Sequence, residues 1–375
     1  MIYLDSAAST FPRDDVLERF ASSNRKFFAN PASSHAIGRE GGRKLEQIRK
    51  RVLDLFRLKN HSCIFLSGAT EANNLAIKGV AFGYENRGKK LLYSAVEHPS
   101  VIEPMRFLAN RFGFETIALP VDEWGRVNPK TLEEAMDKDV ILVSIMGVNN
   151  ETGAVNDLAA LASIVHRFPK AFFHSDLTQA VGKMDVPYGD LDLFSFSAHK
   201  IHGLKESGAL IYKSTMKLVP TAHGGGQESG MRSGTVSLAL NEALALALER
   251  AMESRKDEEK NARILWNRLY DGIKDEPVRI NSYPEGSPYV FDFSLLKHRA
   301  SVIVEALSQK GIYVSSASAC SSKTDRASDV LLAMGLPFDL AANGVRVSFS
   351  GANTVEEIDT FLATLHELLQ EVHVR

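Results

Sequence analysis

Between about residues 60 and 215, short apolar runs rich in β-branched and aromatic residues alternate with stretches of helical period. Seven strands are predicted there: Cys63–Ser67, Lys90–Ser94, Glu115–Leu119, Val140–Met146, Ala171–Ser175, Leu193–Ser197 and Ala209–Tyr212. Strands alternating with helices predict an α/β unit with a mainly parallel seven-stranded sheet covered on both faces. Most of these runs end in a loop carrying polar residues, and in such sheets ligands bind outside the carboxyl ends of the strands. From Ser237 an Ala- and Leu-rich helical pattern runs towards Lys260, and the charged stretch Glu253–Lys260 marks an exposed segment where a domain boundary is expected. The remainder predicts strands near Val278–Asn281, Tyr289–Ser294 and Val345–Phe349, with helices at Ala300–Lys310, Ser328–Met334 and Thr354–Glu371, a smaller α+β domain. Thr354-Val355-Glu356-Glu357 has the form of a capping box, in which Thr354 and Glu357 each satisfy an orphan backbone N–H.

The expected division is a large domain over residues 14–255 and a small one built from residues 1–13 and 256–375. A length of 375 residues suits two or three domains, and 44% hydrophobic with 24% charged residues is the composition of a folded globular chain. Lysine and arginine number 44 against 46 acidic residues, so no overall positive field exists to collect nucleic acid or anionic membrane. Apolar runs such as Val140–Val143 stop well short of the roughly 18 residues that a bilayer span requires. The start, Met1–Ser6, does not read as a signal peptide, so the Asn150-Glu151-Thr152 triplet reads as a chance match to a glycosylation acceptor. Two cysteines make no disulfide framework in a chain of this size, which points to the cytoplasm.

Asp176 and Lys200 each fall just past a predicted strand, close enough in sequence for one crossover to separate them. A carboxylate and a lysine at adjacent strand ends suit pyridoxal phosphate: the amine condenses with the aldehyde, and the carboxylate keeps the pyridine nitrogen protonated. A lone Lys–Asp pair is ordinarily a surface lysine and a capping aspartate, so the surrounding residues must decide. Ser67-Gly68-Ala69-Thr70-Glu71 reads as a strand, a tight turn and a helix start, whose free N–H groups and positive end favour a phosphate. Ser197 and His199, next to Lys200, can donate to the same phosphate, and His98 after the second strand can stack on a planar ring. His199 and His202 have a His-x-x-His spacing, but no further ligands accompany them and no metal is expected. Gly224-Gly225-Gly226-Gln227 is too short for a dinucleotide fingerprint and reads as a turn. Cys63 opens an apolar strand and reads as a small buried hydrophobe. Cys320 sits in a run of serines and alanines with little apolar neighbourhood to fill, so a nucleophile stands beside the bland reading. Arg346, in a later strand, has the bidentate fork that holds a carboxylate.

Taken in order along the chain, Asn30-Pro31-Ala32-Ser33-Ser34-His35, Gly68–Asn74, Glu97-His98, Val148–Glu151, Ser175–Gln179, Ser197–Lys200, Gly224–Gln227, Arg232–Thr235 and Ser318-Ala319-Cys320 resemble the cysteine desulfurases of the class V aminotransferase family. The resemblance runs nearly end to end. It implies the pyridoxal-phosphate fold of the aspartate-aminotransferase type (fold type I) and an activity that converts L-cysteine to L-alanine. It implies that Lys200 carries the cofactor, Asp176 meets the pyridine nitrogen, His98 stacks on the ring and acts in catalysis, and Gln179 bonds the ring hydroxyl. Ala69, Thr70, Ser197 and His199 would complete the cofactor contacts, with Thr235 arriving from the other subunit of a homodimer. Asn30, Asn150 and Arg346 would bind the substrate, and Cys320 would take the sulfur as a persulfide. A sulfur-acceptor protein is then expected, a scaffold for iron–sulfur cluster assembly or a tRNA-thiolation enzyme. The alternatives are a selenocysteine lyase, another class V enzyme, or a non-catalytic scaffold that keeps the cofactor fold. The chain departs from the family pattern at Ala198 and Ala317, where glycine is expected, at Leu177 for alanine, at Leu204 for proline, and at Ser350-Gly351-Ala352. Ala198 is expected to tighten the phosphate loop, and Ala317 to limit the swing of the Cys320 loop.

Overall fold

The computed structural model describes residues 1–316 and 327–371. The chain begins with a short strand, β1 (Ile2–Tyr3), and two helices, α1 (Asp14–Lys26) and α2 (Ala36–Leu55). Alternation follows: β2 (His61–Leu66), α3 (Ala69–Tyr84), β3 (Lys90–Ser94), α4 (Pro99–Phe112), β4 (Glu115–Leu119), α5 (Pro129–Ala135), β5 (Val140–Ser144), α6 (Leu158–Val165), β6 (Phe172–Asp176), β7 (Leu193–Ser197) and β8 (Gly208–Lys213). A long helix, α7 (Leu238–Ile273), leads into β9 (Val278–Ile280), β10 (Val290–Leu295), α8 (Ala300–Gln309), β11 (Ile312–Tyr313), β12 (Ser315–Ser316), α9 (Asp329–Ala333), α10 (Phe338–Ala342), β13 (Gly344–Ser348) and α11 (Val355–Glu371).

Seven strands form one sheet in the order β2-β8-β7-β6-β5-β3-β4. β8 runs antiparallel to both neighbours and the remaining pairs are parallel, so the carboxyl ends of β2, β3, β5, β6 and β7 share one edge. The strand order reverses between β5 and β3, the kind of switch point at which α/β sheets open a crevice. Apolar side chains alternate to the two faces: Phe173, Phe194 and Phe196 pack with α2, α6 and the start of α7, while Leu91, Leu193 and Leu210 pack under α3 and α4.

A four-stranded antiparallel sheet, β12-β13-β10-β9, makes the second layer system, and β1 pairs with β11 beside it. Its core joins Phe291, Phe293, Val345 and Val347 to Phe361 and Leu365 of α11, and it takes in Leu4 from the N-terminal segment. The boundary expected near residue 255 falls inside α7, which does not break there but runs on to Ile273. The charged stretch is the part of the helix between two buried segments. Leu244, Ala245 and Leu248 pack against the large sheet, whereas Leu265, Trp266, Leu269 and Ile273, at spacings of one, three and four, pack against the small one. The capping box at α11 forms as its sequence predicts: Thr354 N donates to Glu357 Oε2 at 3.2 Å and Glu357 N donates to Thr354 Oγ1 at 3.3 Å.

Candidate active site

The shared carboxyl edge of the sheet and β13 of the second sheet enclose a cavity of about 340 Å³. Into it open Ala69 and Thr70 from the β2–α3 turn, His98 at the start of α4, Asn150 beyond β5, Asp176 and Gln179 after β6, Ser197, His199 and Lys200 at the end of β7, and Arg346 from β13. Asp176 is the last residue of β6 and stands opposite Ser195 of β7, so two parallel neighbours bring Asp176 and Lys200 to the same opening.

Each member is held by a different local device. Gly68 adopts φ +155°, and a Cβ there would come within 3.3 Å of Ser197 Oγ; glycine lets the turn lie against β7. The Ala69 N–H, one of the unpaired donors at the start of α3, donates to Ser197 Oγ at 2.7 Å. Asp176 accepts at both oxygens, from Thr178 N at 2.9 Å and from Asn73 Nδ2 at 2.7 Å. Asn73 in turn donates to Ser100 Oγ at 2.8 Å and accepts from Ser195 Oγ. His98 caps α4, its Nδ1 accepting from Ser100 N at 3.1 Å, and the residue borders the cavity.

Lys200 Nζ donates to the carbonyls of Ala7 at 2.6 Å and Ala8 at 2.7 Å, so the N-terminal segment covers the lysine. Burial, with Arg346 adding repulsion, lowers the Lys200 ammonium to about 8, which brings the nucleophilic free amine within reach of neutral pH. His199, half-buried and close to Lys200, is pushed down to about 4 by desolvation and by the repulsion of Lys200, so a neutral imidazole faces the cavity. His98 is also lowered by its enclosure. Arg346 donates from Nη1 to the Asn150 carbonyl at 3.0 Å and from Nη2 to Asp5 Oδ1 at 2.7 Å.

Two of the sequence-derived residues are not brought to this cavity. Asn30 is exposed and its Oδ1 accepts from Ala32 N at 2.9 Å, closing its own turn; within one chain it touches no substrate pocket. Thr235 is exposed before α7 and lines no part of the cavity. Cys320 and Ala317 lie outside the described residues. Ala198 is buried with ordinary negative φ, and a Cβ on Gly203 would meet the Ala198 Cβ at 2.7 Å; the extra methyl is accommodated by the facing glycine. Leu177 lies over Gly147, whose missing side chain leaves it room. Cys63 is buried in β2 and burial pushes its thiol up to about 12, the state of an inert structural cysteine. Sequence reasoning missed Asn73, Ser100, Asp5 and the Ala7 and Ala8 carbonyls. Asn73 lies within the Gly68–Asn74 stretch, whereas the carbonyls leave no trace in residue type. A larger groove of about 500 Å³ between α1 and α2 holds no comparable set: its buried Glu242 is already engaged by Arg19 at 2.8 Å, Lys44 at 3.2 Å and Arg51 at 3.3 Å.

A parallel-sheet crevice with a lysine and an aspartate at adjacent strand ends and a glycine turn at a helix start defines a pyridoxal-phosphate enzyme by its fold and residues. The chain belongs to the aminotransferase class-V family, whose model matches residues 2–361. It is 38% identical over 376 residues to a NifS/IcsS protein homolog of Lactobacillus delbrueckii subsp. bulgaricus, covering 99% of this chain and 97% of that protein. It is 36% identical over 381 residues to the cysteine desulfurase IscS of Dictyoglomus turgidum, covering 99% of this chain and 95% of that protein. A solved NifS-like protein matches with a TM-score of 0.91 at 33% identity, covering 99% of this chain and 100% of that one.

Enzymes of this family depend on pyridoxal phosphate, and the residues present fit it. The test is steric as well as chemical. A Cβ on Gly208 would stand 2.6 Å from the Gly68 Cα, so two glycines back to back keep the turn and the start of α3 against the sheet, where a helix N-terminus favours an anion. A hydroxyl at Thr70, a hydroxyl at Ser197 and a neutral imidazole at His199 would add donors for the phosphate, and Asp176 and Lys200 would supply the counter-charge and the amine. Among the described residues no helix is long and apolar enough to cross a membrane.

Proposed function

We propose that this protein is a cysteine desulfurase that releases L-alanine from L-cysteine and passes the sulfur to the thiol of Cys320. The observation that carries this reading is the convergence of Lys200, Asp176 and Arg346 on one cavity, in a chain whose relatives include a cysteine desulfurase matched over nearly its whole length. Pyridoxal phosphate, when bound, supplies the electron sink that disperses negative charge from the substrate Cα.

The chain's own residues do the rest. Lys200 would hold the cofactor and, once displaced by the substrate amine, move a proton from its Nζ. Its depressed affinity for protons suits that exchange, because the amine is neither locked as an ammonium nor out of reach of one. Asp176 would pair with the pyridine nitrogen; with both oxygens already fixed by Thr178 and Asn73, its charge needs no reorganisation. His98 would cover the ring face, and Gln179 would donate to the ring hydroxyl. Arg346 would take the substrate carboxylate with a guanidinium whose plane Asp5 and the Asn150 carbonyl pre-orient. In the sulfur step, the Cys320 thiolate attacks the substrate sulfur. The Cβ–S bond breaks, an S–S bond forms on Cys320, and Cβ takes a proton, giving alanine and a persulfide with no external oxidant.

A homodimer accounts for Thr235 being exposed outside its own cavity: Thr235 of the partner subunit would complete the phosphate contacts, and Asn30 would contribute across the same interface. The low cysteine count supports a cytoplasmic enzyme. The persulfide sulfur would pass to an acceptor protein, in iron–sulfur cluster assembly or tRNA thiolation. Incubation of the purified holoenzyme with L-cysteine and a thiol reductant tests the reading: sulfide and alanine should appear in equal amounts. Sulfide no faster than in protein-free controls would leave a non-catalytic scaffold, and turnover confined to L-selenocysteine would make it a selenocysteine lyase.

A further inference from the structure

Lys183 is a buried lysine that the reaction described above does not use. It lies four residues after Gln179 in the turn that follows β6, and its Nζ donates to Gln179 Oε1 at 2.9 Å. Among the described residues no carboxylate lies within ion-pair distance of it, and the aromatic ring beside it, Tyr289, is 5.8 Å away. A buried ammonium with no ion-pair partner, attracted by Glu258 but repelled by Lys200 and Arg346, is costly, and a core position that needed only volume would be filled by a methionine or leucine. Its hydrogen bond is therefore the feature that calls for a function.

The two ends of a carboxamide have nearly the same shape, so the neighbours decide which faces a ligand. Lys183 offers donors to Gln179, and this fixes Oε1 on the lysine side. The Gln179 Nε2 must then face the other way, where it donates to the Ala7 carbonyl at 2.9 Å, the same oxygen that receives Lys200 Nζ. Nε2 carries a second hydrogen, and Gln179 borders the cavity. We propose that Lys183 is a positioning residue that locks the Gln179 amide with its N–H₂ directed at the cofactor's ring oxygen. Without it, the amide keeps only the Ala7 carbonyl as an anchor, and a turned amide would set its own carbonyl towards an oxygen that carries negative charge. The inference rests on the assignment of Gln179 to the ring hydroxyl. Burial, with repulsion from Lys200 and Arg346 outweighing attraction from Glu258, lowers Lys183 to about 7, which fits a side chain kept for a hydrogen bond rather than for an ion pair.

The test follows the visible absorbance band of the bound cofactor against pH in the holoenzyme. A donor on the ring oxygen stabilises its deprotonated form, so losing that donor should raise the midpoint of the band's titration by about 1 pH unit. Gln179→Leu and Lys183→Met should each raise it, the double variant should go no further than Gln179→Leu alone, and Lys183→Gln, which keeps an N–H donor, should restore the native midpoint. If Lys183→Met does not fold, as judged by circular dichroism, Lys183→Leu takes its place in the same scheme. A midpoint unmoved in Lys183→Met but raised in Gln179→Leu would overturn the inference and leave the Gln179 assignment standing. Additive shifts in the double variant, or a Lys183→Gln midpoint as high as that of Lys183→Met, would show a through-space charge effect and also overturn it. An unmoved midpoint in Gln179→Leu would instead remove the Gln179 assignment itself, and the role of Lys183 with it.

Discussion

Asp176 shows what a single carboxylate contributes at this site. Thr178 N and Asn73 Nδ2 hold its two oxygens, so it is fixed before any ligand arrives. With Asp176 on the pyridine nitrogen as proposed, its removal would leave a buried pyridinium without a counter-charge, by analogy with breaking a buried ion pair a cost of roughly 3–5 kcal/mol. Asp176→Ala should therefore bind cofactor at least a hundredfold more weakly in an absorbance titration, and turn over correspondingly slowly; near-native affinity would mean that another group serves the ring nitrogen. His174, two residues earlier on β6, gives a pH prediction. It is fully buried, shares a hydrogen bond with Ser144 Oγ at 2.8 Å, and burial lowers its imidazole to about 4. The unfolded chain titrates this histidine near 6.5, so between pH 6.5 and 4 the unfolded state binds more protons and stability falls as the pH falls. The loss from this one group is on the order of 3 kcal/mol by pH 4. Thermal unfolding of the native protein should show a midpoint that drops across this window, and His174→Asn should drop less. Lys200 and Asp176 could be singled out because their residue types fall at strand ends, His98 because it follows a strand into a helix, and Arg346 because its fork suits a carboxylate; all four border the one cavity. Asp5 and the Ala7 carbonyl were not legible, because they reach the site from the far end of the chain and the carbonyl belongs to a backbone that any residue provides.

Elements were easiest to read where burial imposes one period. Lys90–Ser94, Glu115–Leu119 and Leu193–Ser197 have the bounds that their apolar runs predict, while β5 stops at Ser144 rather than Met146 because the chain turns there into the cavity wall. Helix α7 was harder, since a charged stretch inside a helix looks the same in sequence as a linker between two helices. What separates them is the resumption of buried Leu265, Trp266 and Leu269 in phase with the preceding turn. The β2–α3 turn shows the opposite dependence, of an element on one atom. The Cβ of Gly208→Ala would meet the Gly68 Cα and the Phe196 carbonyl oxygen, each at 2.6 Å, and both are backbone. Neither can move as a flexible side chain would, so overpacking of roughly 1–3 kcal/mol is expected. Gly208→Ala should lower the thermal midpoint and, by pushing the phosphate turn off β7, weaken cofactor binding more than it weakens the fold. A variant with lower stability but native cofactor affinity would show that the turn relaxes without leaving its place.

At the scale of the molecule, the site is made where two sheets and the N-terminal segment meet. Ala7 N donates to Ser348 Oγ at 2.9 Å beside β13, and Thr10 N donates to the His199 carbonyl at 2.9 Å beside β7, so residues 5–10 tie the Arg346 layer to the Lys200 layer. Because α7 enters both cores, the two layers are also joined by one continuous helix. The α/β class and the strand count were legible because alternation with helices leaves few topologies open. The passage of residues 5–10 across Lys200 was not legible, since a short polar segment with no period carries no sign of which side chain it will cover. The residues proposed to hold the cofactor lie mainly in the large-sheet layer, and the proposed persulfide step belongs to Cys320. The two should therefore separate in one measurement, mass spectrometry of the holoenzyme after brief exposure to L-cysteine, on native protein and on Cys320→Ala. The account predicts one added sulfur on the Cys320 peptide and none on the Cys63 peptide of the native protein, with Cys320→Ala retaining bound cofactor but losing sulfide release. Sulfide release from Cys320→Ala at the native rate, with no added sulfur on Cys320 in the native protein, would contradict it and replace persulfide transfer with direct elimination.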